Sequence, residues 1–93
     1  LILAALRGYK DIVEFLLNQL GIQIDVQDEI GATALNWAAF NSGLQSPDRN
    51  YLGIIELLIE KGANINNQTK NTKMTPLMEA VNQNNIDAVI RHC

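Results

Sequence analysis

Apolar residues recur with a helical beat in separated stretches of this chain, and glycine or asparagine closes each one. The clearest stretch is Ile54, Ile55, Leu57, Leu58 and Ile59, a spacing that predicts a helix with one broad apolar stripe. The same order occurs earlier in Ile12, Val13, Phe15, Leu16 and Leu17. Gly62 falls just past the later stripe, where a left-handed cap residue is wanted, and Gly21 does so for the earlier one, with Leu20 as an extra residue. A shorter helix is predicted ahead of the later stripe. Thr33 stands at its N-cap position, and Leu35, Ala38 and Ala39 follow, small enough to let a second helix approach closely. After each closing glycine comes a polar, extended stretch, residues 23–32 and 64–74.

These features repeat. Ala4, Ala38 and Ala80 are equivalent, as are Val13, Ile55 and Val89, with spacings of 34 and then 42 residues between the alanines. The longer spacing comes from an interruption at residues 42–49 and one additional residue in the loop that follows. Thr75-Pro76-Leu77 and Thr33-Ala34-Leu35 then resemble the T-P-L-H-x-A signature of the ankyrin repeats, whose period is about 33 residues. Glu60-Lys61-Gly62-Ala63-Asn64-Ile65-Asn66 is similar to that family's turn after its second helix, and the resemblance covers essentially the whole chain. It implies an all-α fold: antiparallel helix pairs stacked into a short curved solenoid, with projecting finger turns. The expected division is a partial repeat at 1–27, a repeat with an insertion at 28–68, and a partial repeat at 69–93. Because the chain starts and stops inside repeats, it is expected to be an excerpt of a longer array.

Departures from the family pattern are equally specific. Its signature histidine is replaced by Ile2, Asn36 and Met78, which puts the side-chain hydrogen bonding of that position in question. Asn84 stands where Gly8 stands in the first repeat, and asparagine tolerates left-handed backbone. Thr72-Lys73 is aligned with Gly31-Ala32, so the two finger hairpins are expected to differ. Arg91 and His92 fall at core positions, as a polar C-terminal cap or an irregular repeat would have them. The interruption, SGLQSPDR, carries Gly43 and Pro47 and reads as loop, either a tolerated surface excursion or a partner contact. Its Ser46-Pro47 also fits a proline-directed phosphorylation site, a very common dipeptide.

Composition narrows the function classes. Apolar residues make up 47% of the chain, enough for a packed core. The net charge is −3 without any run of Lys or Arg, which argues against nucleic acid and anionic membrane as partners. No stretch is long and apolar enough to span a bilayer, and the opening residues lack the basic leader and cleavage site of a signal peptide. The single cysteine, Cys93, points to a reducing, intracellular and cytoplasmic setting (a host cytosol for a secreted bacterial effector). Asparagine is frequent, notably Asn64, Asn66, Asn67 and Asn71, and reads as base-composition bias.

Catalysis finds no support in these residues. The only His and the only Cys are neighbours, His92-Cys93, and adjacent helical side chains point about 100° apart. No metal, phosphate-loop or nucleophile-elbow motif occurs, and Asp25, Asp28 and Glu29 read as solvent-facing turn residues. The chain is therefore expected not to be an enzyme and to hold no metal, cofactor or small-molecule substrate. Trp37, of a type enriched at binding hot spots, reads first as packing between repeats and second as a contact, whereas Phe40 is either a partner contact or packing beneath the inserted loop.

The family resemblance implies recognition of a protein partner on the concave face. Its contact positions carry over to Leu6 and Arg7 in the first repeat. In the second they are Glu29, Ile30 and Ala32 on the finger, with Phe40 and Asn41 on the helix. In the third they are Lys70, Asn71 and Lys73 on the finger, with Asn82 and Gln83 on the helix. A scaffold or adaptor, a targeting arm of a larger enzyme, effector or channel, and a structural spacer are the competing expectations.

Overall fold

A computed structural model describes residues 1–19, 21–44, 49–70 and 72–82; the side chains of Leu44 and Asn82 lie outside that description. Five α-helices form, and no β-strand occurs among the described residues: α1 (Ile2–Arg7), α2 (Lys10–Leu17), α3 (Ala34–Phe40), α4 (Tyr51–Glu60) and α5 (Pro76–Asn82). The stripes read from the sequence become α2 and α4, but in α2 only Val13 and Leu17 are buried, while Ile12 and Phe15 stand 48% and 64% exposed. The interruption is not wholly irregular, since Ser42–Leu44 winds into one 3-10 turn after α3. Residues 45–48 of that insertion lie outside the description, as do Leu20, Asn71, Gln83, Asn84, Val89, Arg91, His92 and Cys93.

Helix α3 is the hub: it packs against α1 and α5 on either side and against α4 behind. Helices α1, α3 and α5 form an inner row, and α2 and α4 an outer one. Ala5, Ala34, Ala38, Ala39 and Ala80 are fully enclosed, which is what such a close approach of inner helices requires. Ile54, Ile55 and Leu58 of α4 fill the space behind them with no exposed surface. Between α1 and α2, Gly8 adopts φ 77° and its carbonyl accepts a hydrogen bond from Asn50 N at 3.0 Å. A side chain there would meet Tyr51 at 2.9 Å, so the turn needs glycine for both its backbone angle and its space.

Polar bonds tie one repeat to the next. Thr33 caps α3, and Asn36 completes a capping box by accepting from Thr33 N at 3.0 Å. The Asn36 amide also donates to the carbonyls of Asn67 at 3.2 Å and Met74 at 3.3 Å in the next finger. Asn67 answers by donating to Asn36 Oδ1 at 2.7 Å and to Gly31 O at 2.8 Å. The hydrogen bonding questioned for lack of histidine is thus present in the second repeat, because an amide has both the donors and the acceptor the position uses. The asparagines are more than compositional bias: Asn50 caps α4 through Gly53 N, and Asn41 reaches back to Leu6 O at 3.0 Å.

The second finger hairpin differs from the first by a one-residue shift from the sequence alignment. Asp28 N donates to Ala32 O across one turn, and Thr69 N donates to Met74 O across the other. Lys73, not Thr72, takes the place of Gly31, and it adopts φ 56° where Gly31 has 78°. The extra loop residue therefore lies within this finger. A left-handed lysine costs about 1–2 kcal/mol, partly offset against glycine by about 0.4–1 kcal/mol of unfolded-chain freedom.

Two opposite changes in urea midpoint follow. Lys73→Gly is expected to stabilise the fold by about 0.5–1 kcal/mol. Asn36→Ala, which strips a buried network of its centre, is expected to destabilise it by about 1–3 kcal/mol.

Candidate interaction surface

The inner helices and the fingers meet in an open cavity of about 420 Å³ between the second and third repeats. Its aromatic wall is Trp37 and Phe40, one helical turn apart on α3, with ring centroids 5.7 Å apart and planes at 81°. Ile30 and Ala32 supply the finger side, Met74 the next finger, and Glu79 of α5 the facing wall. Phe40 remains 43% exposed, and Trp37 is half-buried.

Trp37, read from the sequence as packing between repeats, is half-buried at the cavity between the second and third repeats. Its indole N–H donates to Asp28 Oδ2 at 2.7 Å, which turns the ring to the cavity. Asp28 in turn is not a freely solvated turn residue, since its other oxygen accepts from Ile30 N at 3.1 Å and Ala32 N at 3.0 Å. Burial alone would raise its carboxyl; the bonds from Trp37, Ala32 and Ile30 outweigh that and hold it below its ordinary value. One carboxylate thereby sets both the finger turn and the aromatic wall.

Only some of the expected contact residues come together. Ile30, Ala32 and Phe40 share the cavity, although Ala32 is only 2% exposed and acts as floor. Glu29, Lys70 and Lys73 are exposed on the fingers, and Arg7 is exposed at the end of α1. Leu6 is half-buried, its carbonyl taken by Asn41 and by the Tyr51 hydroxyl at 2.8 Å. Asn41 is itself buried, with its amide engaged in that bond. Asn82 ends α5, while Asn71 and Gln83 lie outside the described residues.

Glu79 was missed. The signal was available, because Glu79 occupies the same signature position as Trp37 one repeat earlier, and equivalent residues of stacked repeats lie side by side.

The geometry agrees with comparison to known proteins. A family model for ankyrin repeats, in three copies, matches residues 1–91. The chain belongs to the ankyrin-repeat family. Over 66 residues, 71% of the chain, it is 42% identical to the palmitoyltransferase akr1 of Schizosaccharomyces pombe, and the match covers 9% of that protein's length. Ankyrin repeats mediate protein–protein interaction and are themselves non-catalytic. No helix among the described residues of this ankyrin array is long and apolar enough to cross a membrane, and no cluster of His, Cys, Asp or Glu among them could hold a metal ion.

Within the array, Glu79 is the electrostatic exception. It is 6% exposed, and burial pushes its carboxyl up to about 7 from 4.5. Between those values the folded chain keeps a proton that the unfolded chain releases, so stability falls as pH rises from about 4.5 through 7. The depressed Asp28 acts in the opposite sense and only below its ordinary 3.8. Urea unfolding of wild type is therefore expected to show a higher midpoint at pH 5 than at pH 8. Glu79→Gln should flatten that difference; equal slopes in both proteins would assign it to other groups.

Proposed function

We propose that this ankyrin array is a binding module that holds a protein partner against its inner helices and fingers, with no catalysis inside these residues. The observation that carries the reading is the open cavity walled by Trp37 and Phe40, where aromatic area stands unburied beside polar groups. Ala5, Ala34, Ala38, Ala39 and Ala80 of the inner row are fully enclosed, whereas Phe40 keeps 43% of its surface exposed. Ile30 and Phe40 are proposed as contacts within the cavity. Arg7, Glu29, Lys70 and Lys73, all exposed, are proposed as further contacts, where both signs favour specificity over bulk attraction. An intracellular setting goes with this role.

A second reading concerns what the module serves. The likeness to a short part of a palmitoyltransferase favours a targeting or substrate-recruiting arm of a larger enzyme over a free-standing adaptor. Under either reading the residues here do the recognition, and any chemistry belongs to another domain.

The test is capture from cell lysate by wild type and by the Ile30→Ala/Phe40→Ala double variant. Proteins held by wild type and lost at least about tenfold by a variant of unchanged helix content are expected. Equal capture by both would move the site off this cavity, and no specific capture by either would favour a structural spacer.

A further inference from the structure

Glu79 lines the same cavity as the aromatic pair, and that combination narrows what the cavity can hold. Glu79 is more than nine-tenths buried, yet among the described residues no donor or cation is bonded to its carboxyl. The chain's own lysines do not serve it. Lys70 lays its stem over Gly31, where an added side chain would meet its Cγ at 2.9 Å, and it is exposed. Lys73 is exposed on the far arm of the finger. Asp28, the other carboxylate nearby, is occupied by Trp37 and two backbone N–H groups.

We propose that this cavity receives a cationic side chain, lysine or arginine, from the protein partner, with Glu79 as its counter-charge and Trp37 and Phe40 as its wall. This rests on the reading of the cavity as a partner site and adds the chemistry of what enters it. A buried carboxylate without a counter-ion is unfavourable, and a cation entering beside it removes that cost while gaining charge-assisted hydrogen bonds. Aromatic faces attract the same charge, most strongly where water is excluded. Ile30 and Ala32 offer apolar surface to the methylene stem that carries the charge. The Asp28 bond fixes the Trp37 ring in advance, so less ordering remains for the moment of binding. A purely apolar side chain would fill the space but leave the carboxyl unsatisfied. An acidic one would add a second negative charge.

The sole tryptophan of the chain is Trp37, so its fluorescence reports on this cavity. Capped alanine pentapeptides with lysine or the isosteric, uncharged norleucine at the centre are titrated at pH 8 into wild type and Glu79→Gln. The lysine peptide is expected to give a saturable change in wild type. Affinity should fall about tenfold or more for the norleucine peptide, and likewise for the lysine peptide with Glu79→Gln. Equal affinity for both peptides in wild type overturns the proposal while leaving a partner site of apolar preference. Silence toward both peptides also overturns it. Should Glu79→Gln fail to fold, the comparison of the two peptides in wild type decides alone. Failure of the partner site itself registers separately, as capture that the Ile30/Phe40 double variant leaves unchanged.

Discussion

The paired amides of Asn36 and Asn67 are the interaction on which the stacking of this array depends. Neither helix of a repeat can bury its apolar stripe alone, so a neighbour must be held in register. Hydrophobic contact supplies attraction but little direction. Direction comes from Asn36, which closes the cap of α3 and reaches the carbonyls of Asn67 and Met74 in the next finger. Asn67 returns bonds to Asn36 and to Gly31, and accepts a further one from Gln27 at 2.7 Å. Cap, finger and following repeat are thereby one polar unit, buried enough that a missing member would leave several groups unsatisfied.

The candidate surface is a consequence of that register. Stacking places equivalent residues of successive inner helices next to one another, so Trp37 of α3 and Glu79 of α5 face a common space. Asp28 then orients the tryptophan from the finger of its own repeat. The structure divides its acidic groups by surroundings. Asp28 is held ionised by three donors, whereas Glu79, buried without one among the described residues, is held toward its neutral form. A carboxyl there costs stability near neutral pH, and the binding proposed for the cavity would give it a counter-charge.

Membership of the ankyrin family accounts for the scaffold and for a binding role, and the match to a palmitoyltransferase spans 9% of that protein's length. What varies between arrays built on this plan is the set of side chains that the common backbone presents. Here that set is an aromatic pair, a carboxyl group and a half-buried isoleucine around one cavity, ringed by charges of both signs on the fingers.

The architecture was legible from residue order because it is carried by local pattern. The stripes in α2 and α4, the Thr33 cap, the glycines after the helices and the recurring alanines each act within one helical turn or one repeat. Pairings between repeats were not legible, since they depend on which distant groups the stacking brings within 3 Å. The sequence therefore left the histidine substitution at Asn36 unresolved, set the finger register one residue off at Lys73, and did not show the bond between Trp37 and Asp28. It named Ile30, Ala32 and Phe40, but not the carboxyl that faces them. Sequence alone determined that helix pairs would form and stack, because amphipathic period and cap chemistry are local properties. Only the tertiary structure decided which polar groups are satisfied across repeats and which one, Glu79, is buried without a counter-charge among the described residues, because burial and hydrogen bonding are properties of the assembled neighbourhood.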